Sequence, residues 1–350
     1  MSVTNITEKQ SVSHGQKRNI NLVRLILEGR AFFALIVIIA VFSFLSPYYF
    51  SLSNFLTMAS HVAIFGILAI GMLLVILNGG IDLSVGSTLG LAGCIAGFMM
   101  KGVTLDAFGV ILYPPVWAVV VITCVLGGVV GAVNGVLIAY LKVPAFVASL
   151  GVLYVARGVA LLMTNGLTYN DLDGSPELGN TGFDWLGFNR LAGIPIGVIV
   201  LAVLAIIFGI ILSRTAFGRW LYASGGNERA ADLSGVPVKR VKIIVYVLSG
   251  VCAAIAGLVL SSQLTSAGPT AGTTYELTAI AAVVIGGAAL TGGRGTVRGT
   301  MLGAFVIGFL SDGLVIIGVS AYWQTVFTGA VIVLAVLMNS IQYGRRTKSS

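Results

Sequence analysis

The chain has 350 residues, of which 57% are hydrophobic and only 9% charged, with a formal net charge of +8. A soluble domain carries about 25% charged residues, so composition excludes a water-soluble globular fold and makes lipid the solvent. The basic residues sit in the connections between apolar runs rather than on one face, a placement that fits membrane topology and excludes a nucleic-acid partner.

A polar, basic tail, residues 1–30, precedes the first apolar run, 31–45. Ser46, Pro47 and Tyr48 follow that run in place of a small-x-small cleavage site, so it reads as a retained first span and not a signal peptide. Crossing ~30 Å of hydrocarbon takes about 20 apolar residues. On that basis spans are expected at 31–50, 56–77, 84–100, 116–140, 145–165, 194–212, 243–262, 277–291, 299–319 and 322–341. The reading is an all-α polytopic membrane protein of about ten transmembrane helices. The eighth span is short, and Ser311, Asp312 and Gly313 interrupt the ninth, so this region can hold a re-entrant segment.

With the N-terminus inside, the inner connections and tails hold seventeen Lys and Arg residues, and the outer connections hold only Lys101 and Arg190. This positive-inside asymmetry places both termini in the cytoplasm. The membrane domain then covers 31–342, between cytoplasmic tails 1–30 and 343–350. Two connections exceed a tight turn. The outer one, 166–193, carries Asp171, Asp173, Glu177 and Asp184 against Arg190; the inner one, 213–242, is basic. The acidic outer loop is either a plain solvated loop or a charge-complementary docking surface.

Between the second and third spans stands "NGGIDLSVGS". Gly79 and Gly80 are expected to end one helix after Asn78, and Asp82 and Ser84 to cap the next. With Gly86, the same glycine-rich break can also act as a pivot for a gate. Gly127, Gly131 and Gly135 recur at four-residue spacing, which reads as a flat face for close helix packing.

Arg157 in the fifth span and Asp312 in the ninth are the ionisable residues deepest in apolar sequence, with Glu276 nearer an edge. Intramembrane charges mark function by default, so Arg157 and Asp312 are pathway candidates; an ion pair between them would serve structure equally well. Their scarcity disfavours proton or sodium coupling, which needs buried carboxylates that change state.

The inner loop contains "NERAADLSG", a short helix with explicit ends. Asn227 is the N-cap, Glu228 suits the positive helix start, Arg229, Ala230, Asp232, Leu233 and Ser234 form the body and last turn, and Gly235 stops it before Pro237. Two turns are unstable alone. Such a helix persists either as an element lying on its own bilayer or as a peg seated in a cytoplasmic partner, with Gly225 and Gly226 as its hinge. A second glycine-rich stretch, "GGAALTGGRGTVRGT", joins the eighth and ninth spans; Gly292 and Gly293 permit close approach, and Arg294 and Arg298 can hold lipid phosphates or a partner.

Cys94, Cys124 and Cys252 lie inside apolar runs and read as small buried hydrophobes; His14 and His61 are too far apart in sequence to suggest a metal site. The sequence has no phosphate-binding loop and no nucleophile–base arrangement, so no enzyme, cofactor or metal centre is expected. Any ATP hydrolysis belongs on another chain.

"ILNGGIDLSVGS", "VPAFVASLGVLYVARG", "GRWLYASGGNERAADLSGVPVKRVK", "LTGGRGTVRG" and "LVIIGVSAYWQTVFTGAVIVLAV" together resemble the permease subunits of bacterial ABC importers of the ribose, xylose and galactoside type. The likeness spans nearly the whole chain after the tail. It implies a permease homodimer in the bacterial inner membrane, two ATPase domains, and an extracytoplasmic sugar-binding protein. It also implies a fold similar to the vitamin B12-type importer, and it marks 227–235 as the ATPase-coupling helix. Asp312 and Ala321 depart from the pattern of related permeases, which leaves the solute open between a sugar or polyol and, as the alternative, a nucleoside or branched-chain amino acid. A standalone channel or secondary transporter is the remaining reading.

Overall fold

The computed structural model describes residues 30–106 and 109–346; the expected tails lie outside the described residues except for Arg30 and 343–346. Helices occupy every apolar segment expected from the sequence: α1 (Arg30–Leu45), α2 (Leu52–Leu77), α3 (Val85–Lys101), α4 (Val116–Ala139), α5 (Ala145–Thr164), α7 (Ile196–Arg214), α10 (Val238–Leu264), α11 (Tyr275–Ile285), α12 (Val297–Ile316) and α13 (Ala321–Arg346). Short helices α6 (Trp185–Phe188), α8 (Ala216–Gly226) and α9 (Glu228–Leu233) lie in the connections. Six of the long helices, α2, α4, α5, α7, α10 and α12, have the length and apolarity to cross a bilayer, while α1, α3 and α11 are shorter apolar helices.

One end of the bundle carries two antiparallel hairpins, β1–β2 (Val103–Leu105 with Val110–Leu112) and β3–β4 (Arg190–Leu191 with Ile194–Pro195). The other end carries α8, α9 and most of the loop arginines and lysines. We call them the hairpin end and the basic end.

Helix boundaries follow local chemistry. Ser51, Thr215, Asn227 and Thr296 cap α2, α8, α9 and α12 through side-chain oxygens that accept backbone N–H groups. Pro115, Pro144, Pro195 and Pro237 precede α4, α5, α7 and α10, where a missing N–H costs nothing. The break expected at Ser311–Gly313 does not occur, and α12 runs unbroken to Ile316. Gly313 leaves room for the ring of Phe42 on α1, and Asp312 finds a side-chain partner on α2, so the helix has no reason to open.

The centre of the fold is α2. From Val62 to Asn78 every residue but the half-buried Phe65 is buried, enclosed by α7, α10, α11 and α12. The expected close packing at the α4 glycines is observed: a Cβ on Gly127 would stand 2.6 Å from the Gly250 carbonyl, and one on Gly135 would stand 2.8 Å from the Ile243 Cα. Here α4 lies directly on the backbone of α10.

Two stretches of the interior are not helical, 78–84 and 265–274. Tyr275, which opens α11, packs its ring 4.9 Å from Phe65 at the midpoint of α2, so α11 begins halfway through the bundle. The stretch leading there from the hairpin end follows the small-residue face of α3. A Cβ on Gly97 would meet Ala267 at 3.1 Å, and one on Gly90 would meet the Ala271 carbonyl at 2.6 Å. Backbone without helical bonding persists at that depth only where protein covers it, and the bare glycine face of α3 supplies the cover.

Candidate coupling and gating site

At the basic end, α9 forms as its residues dictate. The Asn227 side chain accepts from the Ala230 amide at 3.0 Å. Gly235, at φ +83°, makes the left-handed stop, and the Val236 amide closes onto the Ala231 carbonyl at 3.0 Å. Lys242 of α10 reaches both carboxylate oxygens of Glu228 at 2.7 Å. Ala231 is buried against the bundle, while Arg229, Asp232 and Ser234 are exposed and Leu233 is 82% exposed. The helix is thus pinned at one end and presents a lone large apolar side chain outward.

Three glycine pairs far apart in sequence meet just behind α9. Gly79 and Gly80 follow α2, Gly225 and Gly226 end α8, and Gly292 and Gly293 lie between α11 and α12. The Gly293 amide donates to the Leu77 carbonyl at 2.9 Å, and Asn78 Nδ2 donates to Ser224 Oγ at 2.9 Å. A Cβ on Gly225 would overlap that same Leu77 carbonyl; one on Gly292 would lie 2.6 Å from the Gly225 carbonyl and 3.0 Å from the Gly79 Cα. Gly79, Gly292 and Gly293 also hold positive φ, which strains any residue with a Cβ, and at Gly292 and Gly293 a Cβ has no room either. Tyr222 of α8 secures the joint by donating to the Gly295 carbonyl at 2.8 Å. Burial pushes the Tyr222 hydroxyl up from its ordinary pKa, which keeps it a proton donor. Sequence reading named all these glycines but gave no sign that they share one place. A cavity of about 670 Å³ opens beside the joint, bordered by Asn78, Gly80, Lys142, Glu228, Lys242 and Tyr246.

Ser84 stands at the N-cap position of α3 as expected, but neither its side chain nor that of Asp82 bonds to an amide of that helix. The Ser84 carbonyl accepts the Thr88 amide at 2.8 Å, and its hydroxyl is engaged elsewhere. Asp82 is instead 1% exposed at the centre of a buried polar knot. Its Oδ1 accepts from the Ser84 amide at 3.0 Å and the Ser84 hydroxyl at 2.6 Å, and its Oδ2 accepts from Ser249 on α10 at 2.9 Å. Asn134 of α4 donates to Ser84 Oγ at 2.8 Å. The turn is held by α4 and α10 together, because a buried carboxylate must recover from protein donors what it loses in water. Gly86, in the first turn of α3, is buried against the Gly272 backbone.

Arg157 and Asp312 do not pair. Arg157 donates to the carbonyls of Pro269 and Ala271, at 2.8 Å for Ala271, and so ties down the non-helical stretch before α11. Asp312 accepts from His61 Nδ1 at 3.0 Å, bridging α12 and α2. Metal-ligand spacing gives His61 no role in the sequence, since the other histidine, His14, is far away. The available signal was the four-residue repeat of polar side chains Ser53, Thr57 and His61 in the first half of α2. Cys94, Cys124 and Cys252 are free thiols, two of them buried.

The architecture is that of a multi-pass membrane protein with a packed core and a projecting helix on one face, and sequence comparison agrees. The chain is 42% identical over 315 residues to a ribose import permease protein of Escherichia coli (strain K12), covering 90% of this chain and 94% of that one. It is 43% identical over 312 residues to a ribose import permease protein of Bacillus subtilis (strain 168), covering 88% and 91%. It is 35% identical over 346 residues to a xylose transport system permease protein of Escherichia coli (strain K12), covering 83% and 86%. No solved structure gives a significant match. The profile of one family matches residues 54–336, from the open first turn of α2 to the interior of α13. With the glycine joint and the projecting helix both inside the matched region, the chain belongs to the family described as the branched-chain amino acid transport system permease component.

Proposed function

We propose that this protein is the membrane-spanning permease of an ATP-driven, binding-protein-dependent importer of a monosaccharide. The observation that carries the reading is likeness at 42–43% identity to ribose permeases along nearly their full length. The family description names amino acids, but the relatives with ribose and xylose names fit the neutral, hydroxyl-bearing solute that a pathway poor in charge suits.

In this reading the basic end is cytoplasmic, as the distribution of Lys and Arg supports, and both termini lie on that side of the bacterial inner membrane. The chain makes ten crossings in the manner of the vitamin B12-type permeases, with α3 and α11 as partial crossings completed by the non-helical stretches 78–84 and 265–274. It works as a homodimer with two ATPase subunits, which bind and hydrolyse ATP, and with an extracytoplasmic binding protein that delivers sugar. The permease holds no cofactor of its own.

The coupling element is α9. Leu233 seats in an apolar cleft of the ATPase, and the Glu228–Lys242 pair carries its movement to α10. Gly225 and Gly226 carry it to the carbonyl end of α2 and to the α11–α12 connection, where Arg294 lies. Close backbone packing without side chains transmits displacement with little slack.

The test is uptake into proteoliposomes holding this permease with its ATPase, binding protein supplied outside, across ribose, xylose, galactose and leucine. Accumulation of one sugar that depends on internal ATP and on the binding protein is the expected result. Leucine uptake alone, or sugar accumulation by the permease without ATPase, would overturn the reading.

A further inference from the structure

The buried central helix α2 is exposed only toward its start, where the apolar Leu52 and Phe55 are open as well as one polar strip. Ser53, Thr57 and His61, at four-residue spacing and so on one side of the helix, are exposed, and beyond His61 no side chain of α2 is. His61 keeps 50% side-chain exposure while it holds Asp312, which keeps 17%. One turn further on the same face stands Phe65, ring to ring with Tyr275 at 4.9 Å. Immediately before Tyr275, Thr273 and Thr274 are exposed at mid-depth of the bundle, with Thr274 in a left-handed conformation at φ +69°.

A side chain exposed along a membrane-spanning helix meets lipid, another protein or water. Surfaces that meet lipid in this protein are apolar: α4 shows Val121, Val125 and Val129, and α7 shows Val203, Ile206 and Ile210. A half-exposed histidine–aspartate pair with neighbouring threonines is costly against hydrocarbon and is stable facing water. The strip starts at the hairpin end, runs inward for half the length of α2, and stops at an aromatic pair. That is the form of a water-filled vestibule with a floor.

We propose that Ser53, Thr57, His61 and Asp312, with Thr273 and Thr274, line the outer half of the solute pathway. An uncharged polyhydroxylated solute exchanges hydrogen bonds with the His61–Asp312 pair there, and Phe65 with Tyr275 closes the strip at mid-depth. Imidazole and carboxylate suit that solute class because each hydroxyl both donates and accepts, and the aromatic floor offers flat apolar cover to the C–H faces of a sugar ring. The proposal rests on the importer reading for its direction and solute class, and it assigns residues that the reading does not need.

Single cysteines at Thr57, His61 and Thr274, and lipid-facing controls at Val125 and Ile206, are placed in the ATPase-bound permease carrying C94A, C124A and C252A. The probe is a permanently charged, membrane-impermeant methanethiosulfonate added from outside. Only a thiolate in water reacts readily, so the strip cysteines should label at least about tenfold faster than the controls. H61A, whose ATPase association reports folding, should raise the sugar concentration needed for half-maximal uptake more than it lowers the maximal rate. Strip cysteines that label no faster than the controls in a complex that still imports sugar would overturn this proposal and leave the importer reading standing. The same slow labelling with a disulfide forming between copies at position 61 would overturn it in favour of a closed dimer seam. Absence of ATP-driven uptake by the cysteine-free parent would instead count against the importer reading.

Discussion

The amide of Gly293 donates to the carbonyl of Leu77 at 2.9 Å, so the last turn of the central helix is completed by a connection more than 200 residues away. The four final carbonyls of a helix lack partners within it. Supplying one from the α11–α12 connection makes the end of α2 and that connection a single mechanical piece, with Gly225 pressed against the same carbonyl.

Gly225 therefore tolerates no side chain. In G225A the new Cβ overlaps the Leu77 carbonyl, and the joint must separate. The expected loss is about 2 kcal/mol, within the range for overpacking a tight contact. ATP-driven uptake should fall at least tenfold while basal ATP hydrolysis persists. G226A, which meets nothing, should remain near wild type in both assays.

Leu233 is the side chain that the coupling role needs. L233D should leave the permease folded, since the residue is 82% exposed, and should uncouple hydrolysis from uptake in the reconstituted complex. Normal coupled transport in L233D would remove the docking role from α9. Breaking the Glu228–Lys242 pair with E228Q should cost only about 0.5 kcal/mol of stability, because the carboxylate is largely exposed. Its effect should appear in coupling efficiency instead.

Asp82 should prove structural before it proves functional. D82A strands the Ser84 amide and the hydroxyls of Ser84 and Ser249 in a buried site. Unsatisfied groups of this kind cost about 1–3 kcal/mol each, so a marked drop in thermal midpoint in detergent is expected. S249A removes one donor and should show a fraction of that drop.

The acidic connection at the hairpin end can be tested for binding-protein docking by charge reversal at Asp173 and Glu177, both exposed. Asp171 suits the experiment less well, because it holds φ +55° and its carbonyl accepts from Lys101. D173K/E177K should weaken delivery by the binding protein several-fold at low salt and less at high salt, measured as uptake against binding-protein concentration.

What the sequence made legible is what local rules determine. Long apolar runs located the helices, and Asn227 with Gly235 located both ends of α9, because hydropathy and capping act over a few residues. Asp82 was misread for the same reason: a polar residue ahead of a helix looks like a cap, while its partner Ser249 lies 167 positions away. Charge balance suggested pairing Arg157 with Asp312, but attraction between opposite charges carries no information about which helices are neighbours. The fold places carbonyls of the non-helical stretch before α11 at Arg157 and an imidazole of α2 at Asp312. The glycine joint stayed hidden because each pair resembles an ordinary turn until three chain segments are superposed.

The eleven residues of α11 have a bearing on how the polypeptide is made. At ~1.5 Å per residue they reach about half the thickness of a bilayer, too little for the segment to partition into lipid as an independent helix, and the stretch before it has no hydrogen-bonded ladder of its own. Both must wait until α2, α3 and α12 are inserted and offer the surfaces they rest on. Biogenesis of this protein then starts from its long helices, the central α2 among them, and the short α11 is the last to be laid in place.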